Sequence, residues 1–67
     1  MSPKRLGRML KTRREEKGFT QVELAKRARV TQTYIAKLES GDKKNPSLEI
    51  LQRLAKALGV PVTELLG

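Results

Sequence analysis

The segment TQTYIAKLESG, residues 31–41, carries side chains whose chemistry is not accounted for by packing. Capped by Thr31 and stopped by Gly41, it reads as one short helix. Ile35 and Leu38 then form an apolar stripe, while Gln32, Thr33, Ala36 and Lys37 fall on the opposite side. An amide, a hydroxyl, a methyl and an ammonium group would share one outer surface, able to donate and accept hydrogen bonds and to carry positive charge. A helix meant only to be wet would more often show Glu–Lys pairs. Groups of the same kind flank it: Gln21 at the start of the preceding segment, and Lys43, Lys44 and Asn45 in the loop that follows.

Other chemistry is poorly represented. The 67 residues include no Cys and no His. No disulfide, thiol nucleophile or imidazole base is available, and a metal site would have carboxylates alone to use. Asp42 falls in a loop, the Glu residues are committed to caps and pairs or stand alone, and no Gly-rich phosphate cradle occurs. The expectation is a protein that is not an enzyme, with no cofactor, no metal and no small-molecule ligand.

The formal charge of +8 is unevenly spread: residues 1–45 hold 13 Lys or Arg against 5 acids, whereas residues 46–67 balance. Such a field favours phosphate backbones or anionic membranes; a basic surface kept for solubility is the plainer alternative. No apolar run approaches the roughly 20 residues that span a bilayer. The basic N-terminal stretch lacks the apolar centre of a signal peptide. The chain therefore reads as not exported, cytoplasmic and without a membrane partner.

Five helices and no strand are expected, in one small all-α domain over residues 1–67. Pro3 and Ser2 open the first, which runs to about Lys17 before Gly18; Leu6, Met9, Leu10 and the stem of Arg13 share a face. Thr20 and Glu23 form a capping box for the second, about residues 21–28, with Val22, Ala25 and Ala28 as its inner face. A link of two residues leads to the third, about 32–40. Two short helices joined this tightly read as a helix-turn-helix. Ser47 caps a fourth, with Leu48, Leu51, Leu54, Ala55 and Leu58 as its stripe, and Pro61 starts a last short piece. Leu10, Leu24, Ala25, Ile35, Leu38, Leu51, Leu54 and Leu58 are expected to meet in the core.

The run TQVELAKRARVTQTYIAKLESGDKKNPSLEILQRLAKALGVPVTELL resembles the Cro/phage-repressor type of helix-turn-helix domain, the XRE group. The likeness covers roughly residues 4–66, and its pieces come in the family's order. It implies a lambda-repressor-like five-helix bundle and a sequence-specific regulator of transcription whose third helix lies in the major groove of a (pseudo)palindromic operator. On that footing Gln32, Thr33 and Lys37 are the expected base contacts: Gln suits adenine N6 and N7, Lys guanine O6 and N7, and Thr a thymine methyl. Gln21, Thr31, Tyr34, Lys43, Lys44, Asn45 and Arg14 are the expected phosphate contacts. For Tyr34, packing over the recognition helix is an equal alternative, and Lys37 could instead touch a phosphate. The family position matched by Arg14 pairs with the acid on the third helix, here Glu39, so a structural Arg14–Glu39 pair is expected. Arg29 stands where the family often has Gly, and a left-handed backbone there would cost about 1 kcal/mol.

The expected partner is double-stranded DNA, with a nucleoid setting of bacterial or phage type. A homodimer on DNA is the natural extension, with Val62, Leu65 and Leu66 as candidate dimer contacts; the same side chains could instead cap the chain's own core. Two other classes compete: a protein-interaction module such as an antitoxin, and a membrane-active basic peptide built on residues 3–17, against which the capped multi-helix layout speaks.

Overall fold

A computed structural model describes residues 2–43 and 46–66. Five helices follow one another: α1 (Pro3–Glu16), α2 (Gln21–Ala28), α3 (Gln32–Ser40), α4 (Leu48–Leu58) and α5 (Val62–Leu66), with no strand among the described residues. None is long and apolar enough to cross a membrane.

The boundaries follow from local hydrogen bonds. Thr20 Oγ1 accepts from the Glu23 amide at 3.0 Å, and the Thr20 amide donates to Glu23 Oε1 at 2.9 Å, which completes the capping box. Thr31 Oγ1 accepts from the Tyr34 amide at 3.0 Å and Ser47 Oγ from the Ile50 amide at 3.1 Å. At the other end of α3, Gly41 turns the chain left-handed at φ 86°, a conformation glycine adopts without Cβ strain. α2 ends differently: Arg29 adopts φ 60°, ψ 46°, left-handed although it bears a side chain.

α1 packs on α3, α2 on both α3 and α4, and α5 on α4 and α1. All eight side chains expected in the core are there, joined by Leu6, Ala28, Ala55 and Leu65. Two expected inner residues are not. Val22 is 40% exposed and Leu48 is 56% exposed. Both occupy the first turn of their helices, at the edge of the bundle, where a helical projection still assigns them to the stripe but no neighbour reaches over them.

Leu65, for which a dimer contact and a cap on the chain's own core were equal expectations, is only 2% exposed and takes the second role. Burying a leucine is worth about 1.5–3 kcal/mol, so the core holds it against any exchange with a second copy. Val62 is half-buried against the same core, and Leu66 alone of the three is open to solvent. Arg13 fastens α5 from α1, its Nε donating to Glu64 Oε2 at 3.1 Å.

Candidate functional site

α3 is held from three sides, and each hold explains part of its outer face. The first is steric. Gly7 of α1 lies beneath the last turn of α3; a Cβ placed there would come within 2.6 Å of the Glu39 carbonyl oxygen and closer still to that of Leu38. Only a glycine lets the two backbones approach so closely, although in a helix interior it costs about 0.5–1 kcal/mol relative to alanine.

The second hold is electrostatic. Arg14 Nε donates to Glu39 Oε2 at 2.6 Å and Nη2 to Oε1 at 3.1 Å, a two-point pairing of the kind that a planar guanidinium and a carboxylate form well. Arg14 Nη1 donates to the Phe19 carbonyl at 2.8 Å, and Gln21 Nε2 donates to Glu39 Oε1 at 3.1 Å. One carboxylate thus gathers α1, the α1–α2 connection and the start of α2 around the end of α3. The two charged side chains are 11% and 5% exposed. Donation to the Glu39 carboxylate raises the Arg14 pKa above its ordinary value, against the burial that would lower it. Among the described residues no buried side-chain polar atom lacks a partner.

This geometry corrects the role expected of Arg14. Each of its three guanidinium nitrogens donates to a protein oxygen, and the side chain is nearly buried. It supports the site from within; for the phosphate contact expected of it, only the second N–H of Nη1 and of Nη2 remains, on a side chain 11% exposed.

The third hold is the α2–α3 turn. Arg53 of α4 reaches over it, Nε donating to the Ala28 carbonyl and Nη2 to the Arg29 carbonyl, both at 3.0 Å. These bonds satisfy carbonyls that a helix end leaves open, and they brace the left-handed Arg29.

Held this way, α3 turns Gln32, Thr33 and Lys37 to solvent, with Ala36 half-buried between them. With Ser40 and Asp42 they line a shallow concavity of about 530 Å³. No side-chain hydrogen bond or ion pair joins Gln32, Thr33 or Lys37 to another described residue. Their polar groups are therefore available to a partner.

The flanking residues divide. Thr31 accepts the cap bond with one oxygen lone pair and keeps its hydroxyl proton to donate. Gln21 gives one amide hydrogen to Glu39 and keeps the other. Tyr34 is half-buried against the core and burial raises its pKa, with the nearby Arg53 charge acting in the opposite direction. Lys43 is exposed, its Nζ 5.5 Å from the centre of the Tyr34 ring, within reach of a cation–π attraction. Lys44 and Asn45 lie outside the described residues. No cluster of three carboxylates that could hold a metal ion occurs among the described residues.

Gly7, Arg53 and the Gln21–Glu39 bond were absent from the expectations. Gly7 did carry a signal, since a glycine inside a helical pattern points to a close neighbour. The other two join residues 25 and 18 apart along the chain, and no local pattern announces them.

Comparison with known proteins agrees with this architecture. The helix-turn-helix family model matches residues 10–65. The chain is 40% identical over 62 residues to the immunity repressor protein of Bacillus phage phi105, which covers 92% of this chain and 42% of that protein. It is 36% identical over 61 residues to the HTH-type transcriptional regulator SinR of Bacillus subtilis (strain 168), covering 91% of this chain and 55% of SinR. The chain thus spans about half the length of these relatives. Among solved structures, the master regulator for biofilm formation SinR in complex with DNA superposes with a TM-score of 0.89 at 35% identity, covering 92% of this chain and 98% of that one. The restriction-modification controller protein C.AhdI from Aeromonas hydrophila gives 0.89 at 32% identity, with 94% of each chain covered.

Proposed function

This chain belongs to the XRE-type helix-turn-helix family, and on that premise we propose that it binds double-stranded DNA sequence-selectively and regulates transcription by occupying an operator. The observation that carries the reading is the free polar face of α3, set on a helix whose opposite side is locked by Gly7, Glu39 and Arg53. A single helix fits the major groove, which is about 12 Å wide.

In this reading the whole of residues 1–67 acts as one DNA-binding domain. Gln32 pairs with the N6 and N7 edge of an adenine, Lys37 with the O6 and N7 edge of a guanine, and Thr33 touches a thymine methyl. Gln21, at the start of α2, places its remaining amide hydrogen and the free backbone amides of the helix beside one phosphate. The Thr31 hydroxyl, the Tyr34 hydroxyl and the ammonium of Lys43 meet the backbone on the other flank, together with Lys44 and Asn45 of the same loop. Two copies bind half-sites about 34–36 Å apart, one turn of duplex, with Val62 and Leu66 nearest the two-fold axis. The setting is the bacterial or phage-infected cytoplasm, at the nucleoid.

The test is affinity across a salt series with a selected duplex and a random one. Each neutralised phosphate contributes a slope of about 0.9 in log affinity against log salt. The proposal predicts a steep slope on both duplexes and a selected duplex bound at least about a thousandfold more tightly than the random one. Equal competition by the two duplexes would refute sequence-selective binding.

A further inference from the structure

We propose that the chain carries a second oxyanion site, for phosphate groups, in the concavity between the end of α2 and the outer side of α4. That the phosphates belong to the duplex rests on the DNA-binding reading above; the chemistry of the site does not.

The concavity measures about 470 Å³ and is lined by Arg27, Ala28, Arg29, Arg53, Lys56 and Ala57. It shares no residue with the α3 face. Four cations surround it. Among the described residues one carboxylate pairs with them: Glu49, 3.8 Å from Arg53 and largely solvated. Four cations lining one concavity, with one solvated carboxylate to offset them, give it a positive potential that favours an anion.

Two of the cations are fixed in place by contacts that leave their charge intact. The Arg27 guanidinium lies 4.4 Å from the centre of the Phe19 ring. Arg53 is anchored on two backbone carbonyls at 3.0 Å. Groups oriented in advance lose less freedom when a ligand arrives. Arg29 and Lys56, by contrast, have no side-chain hydrogen bond or ion pair to another described residue, and both are exposed. Guanidinium forks match phosphate oxygens in two-point geometry, and the lysine adds a point charge.

The backbone supplies an independent observation. Arg29 is the one non-glycine residue at positive φ among those described. Glycine would relieve the strain, yet an arginine stands there with its side chain directed into the cationic concavity. Strained residues cluster at ligand-facing positions, and Arg29 occupies one.

The occupant is a phosphate of the duplex beyond the segment that α3 reads. Arg53 is bonded to the α2–α3 turn that leads into α3, so the concavity adjoins the start of that helix. The whole domain is 24 Å in its longest dimension. Both surfaces therefore fall within about seven base pairs of each other along a duplex, close enough for DNA curving past the domain to meet both. A free polyphosphate offers the same oxygens and is the other source of this chemistry.

The experiment compares the native chain with Arg29→Gln/Lys56→Gln and with Arg29→Gly, after matched circular dichroism spectra establish that all three fold. One selected duplex is trimmed to the base-read segment; a second is extended by about 10 base pairs on each side. On the extended duplex the double variant is expected to lose about 1.8 of the salt slope, two phosphates at about 0.9 each, with the trimmed duplex unaffected. Arg29→Gly is expected to unfold at a higher temperature and still to lose about 0.9 of the slope on the extended duplex. Sodium triphosphate, titrated against the native chain without DNA, reads the other source through the amide resonances of residues 27–29 and 53–57. Shifts there that vanish in the double variant, with an unchanged duplex slope, assign the site to free polyphosphate. No slope change and no shifts overturn the site. Equal slope losses on both duplexes overturn its separateness from the α3 face. Should the native chain fail to discriminate between duplexes at all, the DNA reading falls while the triphosphate arm still decides the site.

Discussion

The two faces of α3 are built to opposite rules. On the inner face nothing is free: Ile35 and Leu38 are fully buried, Glu39 spends both oxygens on Arg14 and Gln21, and the backbone rests on Gly7. On the outer face Gln32, Thr33 and Lys37 have no protein partner among the described residues. Stability and, in the proposed reading, recognition thereby fall to different side chains of one nine-residue helix. The inner face fixes where the outer one points, and substitutions on the two sides should separate cleanly.

The largest effect should come from the buried pair. Glu39→Ala strands the Arg14 guanidinium and the Gln21 amide and is expected to lower stability by about 3–5 kcal/mol, read by urea unfolding. Replacing Arg14 and Glu39 together by Met and Leu should recover most of that loss, because an apolar pair of similar volume leaves no unpaired charge. A double variant as unstable as the single one would show that the pair is not the source. Next comes Gly7→Ala. Its methyl meets two backbone carbonyls that no rotamer change can move, so α1 and α3 must part; a loss of about 1–3 kcal/mol is expected, with weaker DNA binding measured at a temperature where the variant is fully folded.

The outer face should behave in the contrary way. Lys37→Ala is expected to leave stability within about 0.5 kcal/mol of native and to lose about 1–3 kcal/mol of base discrimination. A large unfolding shift in this variant would dissolve the division between the faces. The smallest effect concerns the α2 cap. The hydrogen bonds from Thr20 hold the Glu23 carboxyl below its ordinary pKa. A carboxyl depressed on folding stabilises the folded chain above its unfolded value, near 4.5, and that contribution fades as the pH falls through the lower folded value. Glu23 is fully exposed, so the change is slight; an NMR titration should place its midpoint below that of an exposed, unbonded Glu, and Thr20→Ala, which removes the hydroxyl and keeps the backbone amide, should bring it only part of the way back.

What could be read from the residues was what is local. Thr20 with Glu23, Thr31, Ser47 and Gly41 act over three or four positions, and each marks its boundary in the fold. The left-handed Arg29 was raised only as a condition, from the glycine that the resembled family often has at that position. Periodicity gave the direction of a side chain but not its depth. Val22 and Leu48 keep the phase of their stripes and lie beyond the edge of the bundle, whereas Leu65, open to either role, goes inward because α5 folds back onto α4 and α1. The contacts that aim α3 were the least legible. Gly7 beneath Glu39, Arg53 over the α2–α3 turn and Gln21 on Glu39 each depend on helices distant in sequence meeting at one spot. The free face of α3 was visible in the sequence; the machinery behind it was not.

The most direct measurement is enrichment of bound duplexes from a random pool, carried out in parallel at one salt concentration with the native chain and Gln32→Ala. The account predicts a sharp preferred site for the native chain and, for the variant, the same site with its preference relaxed at one base pair per half-site. Identical preferred sites at full sharpness for both proteins would contradict it.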